Sequence, residues 1–238
     1  MPLVILGSKP EPALPEQFDK IFFINGSISN KSKLNINDDV MIYHYITYAM
    51  IKKDHTALNS LQGESSHKLI ISGGESSKLT EYLTLLEENN YTFEEIELLT
   101  RKERTKITNQ VIGKSVNLKI AILRKGSIRN KLINVIDLLK ENGKERASYN
   151  PSSAVKALLY VLYNKIGTAP YCLCGVGVVD DGHCYNKGLS FNIKHLYYDL
   201  SILRALAQNP AYNKQILVTD ELLSESTNLP CYPVAVKV

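Results

Sequence analysis

Residues 178–188 read VVDDGHCYNKG and place Asp180, Asp181, His183, Cys184 and Tyr185 within six positions. Three chemistries fit such a run. Two carboxylates and an imidazole are suitable ligands for a divalent ion, although three ligands within four residues make an awkward cage. Asp-Asp-Gly is also ordinary strand-exit chemistry, which would make the run a polar turn. As a catalytic loop, His183 would be a general base that works near neutral pH, oriented by Asp180 or Asp181. The residues alone leave all three open.

A second imidazole, His195, precedes Asp199 by four residues, so on a helix the two share a face and can pair, either as a surface ion pair or as a second candidate base with its carboxylate. The spacing between Ile193, Leu196, Leu200 and Leu203 predicts the core stripe of that helix. His44, His55 and His67 lie in no usable local pattern.

The elements that must position these groups alternate in type. Leu3–Leu6 and Lys20–Asn25 are short apolar runs, stopped by Gly7-Ser8 and by Asn25-Gly26-Ser27. They predict buried parallel strands. Further strands are expected near 40–45, 68–74, 93–100, 171–179, 214–219 and 232–238. Between them lie helical patterns at 76–90 (opened by a capping Ser), 101–113, 128–143, 152–167 and 192–209. Pro151 is expected in the first turn of the helix that begins Ser152-Ser153. The rhythm predicts a single α/β domain over residues 1–238, a Rossmann-like doubly wound, mostly parallel sheet with helices on both faces.

Ligands of such sheets bind beyond the carboxyl ends of the strands, near a switch in strand order. That rule singles out Gly7-Ser8, Asn25-Gly26-Ser27, Gly73-Gly74 and the 180–185 run. The start of the helix at Ser152 and Ser153 offers backbone N–H groups and hydroxyls, a natural phosphate seat. Neither the P-loop nor the dinucleotide fingerprint is present, which argues against a classical dinucleotide site.

Bulk properties narrow the class. The chain has 238 residues, 44% hydrophobic and 22% charged, with a net charge of +4. That balance suits anionic small molecules or an anionic membrane face and is too weak for nucleic-acid binding. The four cysteines form no C-x-x-C pair and read as reduced thiols of a cytoplasmic protein. The first residues lack the basic region of a secretory leader, and no run is long enough to span a bilayer. Any membrane contact is therefore expected to be peripheral, and a homo-oligomer is compatible with the composition. The basic residues of 101–106 and 124–146 read as solvated helix faces, or more sharply as a dock for acidic lipid headgroups.

Two stretches carry a resemblance. LVILGSKPEPALPEQFDKIFFINGSI resembles the N-terminal nucleotide-binding segment of bacterial sialyltransferases that decorate surface lipooligosaccharide. The run from Asn150 to Leu206 resembles their second half, with its Ser/Thr helix start, its Gly-bearing strand and its His/Tyr loop. The resemblance implies a Rossmann-like domain with a lid, which transfers sialic acid or a related ulosonic acid from a CMP donor to a sugar hydroxyl. Transfer is with inversion and needs no metal or other cofactor. The partners it implies are the nucleotide-sugar donor and a glycan or glycolipid acceptor, at the cytoplasmic face of the inner membrane.

It further implies that Gly7 and Ser8 lie on the donor loop, that Asn25 contacts the nucleotide, and that Ser152, Ser153 and Gly175 line the donor site. Tyr185 and Asn192 would contact donor or acceptor. Ala154 stands where the family has Gly, and Gly177-Val178-Val179 where it has an aspartate-aromatic pair. The family's Gly-His-Ser is here Gly188-Leu189-Ser190, which leaves His183 as the nearest imidazole for the base. Two other classes compete with transfer. One is a non-catalytic nucleotide- or glycan-binding subunit of a polysaccharide assembly. The other is a metal-dependent pyrophosphokinase-like enzyme with Asp180 and Asp181 as ligands.

Overall fold

The computed structural model describes residues 1–34, 36–48, 51, 58–123, 127–129, 131–132, 135–136, 151–178, 193–233 and 236–237. Its strands are β1 (Leu3–Leu6), β2 (Ala13–Leu14), β3 (Lys20–Ile24), β4 (Met41–Thr47), β5 (Ser65–Ser72), β6 (Thr92–Leu99), β7 (Tyr171–Cys174), β8 (Ile216–Val218) and β9 (Val236–Lys237). Its α-helices are α1 (Leu79–Glu88), α2 (Arg101–Ile112), α3 (Lys114–Leu123), α4 (Ser153–Asn164), α5 (Ile193–Gln208) and α6 (Glu221–Thr227). A 3-10 helix, Asn25–Lys33, follows β3.

Seven strands form one sheet in the order β6-β5-β4-β3-β1-β7-β8, and every pairing in it is parallel. The expected α/β sheet is therefore present. Among the described residues of the C-terminal run expected as a last strand, β9 pairs antiparallel with β2 in a separate two-stranded sheet, and the Tyr232 N–H donates to the Val218 carbonyl at the end of β8.

The central strands are apolar on both faces because both are covered. Leu3 and Ile5 of β1 face one core with Phe22 and Ile24 of β3, while Val4, Leu6, Ile21 and Phe23 face the other. The first core is roofed by α2, α4 and α5, through residues such as Ile107, Val155, Leu158 and Ile202. The second is covered by the 3-10 helix through Ile28 and by α1 through Tyr82 and Leu86. The edge strand β6 carries Glu94, Glu95 and Glu97, charges that discourage further strand pairing.

Helix starts follow side-chain chemistry, with corrections. Thr100 and Glu103 form a reciprocal capping box on α2. Asp220 caps α6 by accepting from the Leu223 N–H at 2.8 Å. α4 is capped by Ser152, whose Oγ accepts from the Val155 N–H at 3.3 Å; Pro151 thus lies outside the first turn. α1 has no side-chain cap, because Ser76–Lys78 form a 3-10 turn ahead of it. β7 ends at Cys174, five residues short of expectation, where Gly175 turns the chain at φ +62°.

The core stripe of α5 is also rotated from the expected one. Tyr198, Ile202, Leu203 and Leu206 are buried and Asp199 lies among them at 5% exposure, whereas Leu200 is only partly buried. Cys172 and Cys174 are buried free thiols, with burial pushing Cys172 up to about 12. No described helix is long and apolar enough to cross a membrane.

Candidate functional site

The chain leaves β1 toward β3 on one side, and later crosses from β6 to β7 on the other. The switch in strand order therefore lies between β1 and β7. Their carboxyl ends stay in register past the last residues of the strands. The Gly7 N–H donates to the Cys174 carbonyl at 2.8 Å, and the Lys9 N–H to the Gly175 carbonyl at 3.0 Å. A Cβ on Gly7 would lie 2.4 Å from the Gly175 oxygen, and one on Gly175 3.1 Å from the Gly7 oxygen. Two backbones can approach so closely only with glycine on both sides. The expected donor-loop residues Gly7, Ser8 and Gly175 are thereby brought to one point.

The neighbouring carboxyl ends are tied to this point by polar side chains. Ser27, fully buried, accepts from the Ile24 N–H at 2.7 Å and donates to the Leu6 carbonyl at 2.9 Å, so it clamps β3 to β1. Asn25 sits at φ +51° and bonds in three directions. Its Nδ2 donates to Ser153 Oγ at 3.1 Å, and its Oδ1 accepts from the Thr47 N–H at 3.0 Å and Oγ1 at 3.3 Å. Asn25 thus joins β3, β4 and the start of α4, which puts the α4 N-terminus at the carboxyl edge. Gly26 is buried beside it, its carbonyl accepting from Ser29 Oγ at 2.9 Å.

Beneath Asn25 runs a buried polar chain. His44 Nε2 lies 2.7 Å from the Asn25 carbonyl, His44 Nδ1 2.8 Å from Tyr91 Oη, and Tyr91 Oη 2.8 Å from Ser66 Oγ. Burial lowers His44 to about 4, so the ring is neutral at physiological pH. A carbonyl can only accept, so Nε2 carries the proton and Nδ1 must accept from Tyr91. Ser66 then donates to Tyr91, and every member of the chain has one consistent role.

The α4 start differs from a free phosphate seat. The Ser152 N–H donates to Asp199 Oδ1 at 2.7 Å, and Ser152 Oγ serves as the cap of its own helix. Asp199 is accordingly no surface partner for His195. Burial raises its carboxyl to about 6, against the lowering effects of Ser152 and of nearby Lys156. Ser153 accepts the Asn25 bond with a lone pair, and the proton of its hydroxyl is not used in that bond.

Two further charged groups border the edge. Lys9 Nζ lies 2.9 Å from Asp220 Oδ2 over Gly177, while Asp220 Oδ1 caps α6. Arg104, 8% exposed, packs its guanidinium against Gly73 at the end of β5. Reading by sequence marked Ser27 as a strand-end residue but not its clamp, and missed His44, Lys9, Arg104 and the burial of Asp199. Of these only Asp199 left a signal, its spacing of three and four from Ile202 and Leu203.

His183, Asp180, Asp181, Tyr185 and Asn192 lie outside the described residues. Among the described residues no group of three or more His, Cys, Asp or Glu side chains is placed to hold a metal ion. The described part of the edge gathers the Ser153 hydroxyl, the first turn of α4 and Lys9 with its partner Asp220. Fold and edge together define an open, doubly wound Rossmann-like α/β domain. Compared with protein-family models, curated proteins and solved structures, the chain matches none.

Proposed function

We propose that this chain is an inverting glycosyltransferase that moves a CMP-activated acidic sugar, sialic acid or a related ulosonic acid, to a glycan hydroxyl without a metal. One observation carries the reading. Five positions of the sialyltransferase resemblance, Gly7, Ser8, Asn25, Ser153 and Gly175, lie along one carboxyl edge beside the strand-order switch. Asn25 and Ser153, the nearest of them across the two segments, are 128 positions apart in the chain.

In this reading the donor phosphate sits beside the Gly7-Ser8 turn, between the Ser153 hydroxyl and the Lys9 side chain. These groups stabilise the leaving nucleotide by hydrogen bonds and charge. The anomeric carbon becomes oxocarbenium-like and the acceptor hydroxyl attacks from the opposite face. His183 takes the acceptor proton, oriented by Asp180 or Asp181, while Tyr185 and Asn192 hold the sugars. The donor is a substrate, and no resident cofactor is invoked. The acceptor is a surface glycan or glycolipid, reached at the cytoplasmic face of the inner membrane.

Leu189 at the family's histidine position favours one second reading, a nucleotide-binding subunit without transfer activity. Thermal shift with CMP, CDP, UDP and GDP, followed by assay of CMP release from a CMP-activated sugar with and without EDTA, separates the readings. Stabilisation by CMP with EDTA-resistant release is expected. CMP binding without release in any acceptor mixture favours the second reading, and a response confined to UDP or GDP overturns the donor assignment.

A further inference from the structure

A second surface, built from α3 and the residues after it, departs from the rest of the molecule in both polarity and charge. α3 is fixed to the body on one side, where Asn117, Ile120 and Ala121 are buried and the Ile120 carbonyl accepts from Tyr197 Oη at 3.2 Å. Beyond that anchor the apolar side chains face outward. Ile122 is 47% exposed, Leu123 62%, Ile128 84%, Leu132 60% and Ile136 40%. Ile128, Leu132 and Ile136 recur every four residues at helical positions, the spacing of one helix face. Five of the nine large exposed apolar residues in the described structure thus fall within fifteen positions.

The same stretch concentrates positive charge. Among the described residues of 114–136, Lys114, Lys119, Arg129 and Lys131 are cations and none is acidic. Lys119 and Arg129 are exposed beside the apolar residues. An apolar strip flanked by cations fits a surface that is anionic above and hydrocarbon below. A dimer of two such faces would instead set cations against cations.

We infer that Ile122, Leu123, Ile128, Leu132 and Ile136, with Lys119, Arg129 and Lys131, form a docking face for an anionic phospholipid membrane. The apolar side chains enter the headgroup boundary and the cations pair with lipid phosphates. The inference stands apart from the donor-site reading, since it uses none of the residues of the carboxyl edge.

The test is co-sedimentation of the full chain with vesicles of phosphatidylcholine alone and of phosphatidylcholine mixed with phosphatidylglycerol. Two surface variants accompany it, Ile128→Ser with Leu132→Ser and Arg129→Glu with Lys131→Glu, and circular dichroism checks that each folds. Binding to mixed vesicles only, weakened by high salt, is expected. Each pair of substitutions should weaken it at least about tenfold, at roughly fivefold for every cation neutralised. No binding to mixed vesicles overturns the inference, as does equal binding to neutral ones or binding untouched by both variants. Dimerisation that the Ser variant abolishes, without vesicle binding, makes the face a self-association surface and overturns it as well.

Discussion

Asp199 Oδ1 accepts the backbone N–H of Ser152 at 2.7 Å, so α5 holds the first turn of α4 with a carboxylate that is 5% exposed. Two helices that meet across 47 residues of sequence are thereby fixed at the carboxyl edge, where Asn25 and Ser153 also meet. The geometry of the proposed donor site depends on this junction.

The junction has a pH signature. Asp199 titrates near 6 when folded and near 3.8 when unfolded, so the folded state binds the extra proton between those values. Stability from this group therefore falls as pH rises from about 4 to about 6, by roughly 3 kcal/mol. His44, lowered to about 4 from 6.5, acts with the opposite sign over the same window. Asp199→Asn keeps an acceptor for Ser152 and removes the titration. Urea unfolding at pH 4 to 7 should show the stability of the variant, relative to wild type, rising by up to about 3 kcal/mol across that range. A difference that does not change with pH contradicts the buried carboxylate.

Asn25 combines an unusual backbone with three side-chain hydrogen bonds. Asn25→Gly tolerates φ +51° and loses only the bonds, an expected cost of about 2 kcal/mol. Asn25→Ala loses the same bonds and adds the left-handed strain, about 1 kcal/mol more. Ser153→Ala, which removes one acceptor, should cost about 1 kcal/mol. Chemical denaturation should return that order; equal stability of the Ala and Gly variants would remove the backbone argument.

The Gly7–Gly175 approach predicts a large asymmetry among glycines. Gly7→Ala places a methyl 2.4 Å from a backbone oxygen that cannot move without parting β1 from β7. The expected loss is at least about 3 kcal/mol. Gly63→Ala faces open space at φ +71° and should lose only about 1–2 kcal/mol. Comparable losses at the two positions, measured by urea unfolding, would deny the close approach.

Much of the fold was legible because β1, β3 and β5 are apolar runs covered on both faces, and α1, α2 and α4 sit on clear helical patterns. The failures have local causes. β7 read too long because Val176, Val178 and Val179 continue its apolar pattern, while the left-handed turn at Gly175 leaves no mark that composition can show. The expected stripe of α5 follows the spacing of its aliphatic residues, and a carboxylate such as Asp199 adds nothing to that pattern although it is buried. Its partner Ser152 lies too far away in sequence to reveal that burial. At the site, strand-end chemistry marked Gly7 and Asn25 as edge residues, whereas Gly175 was marked only by the family resemblance. The clamping roles of Ser27 and His44 depend on contacts between strands, and no spacing within either segment encodes them.

The most direct test is a titration of the isotopically labelled chain with CMP, followed through assigned backbone amides. Binding at the switch predicts shift changes concentrated on Gly7, Ser8, Asn25, Ser152, Ser153 and Gly175, with the amino ends of the strands, such as Lys20 and Thr92, unmoved. No shifts at any of the six, or shifts confined to the amino edge, would contradict a donor site between β1 and β7.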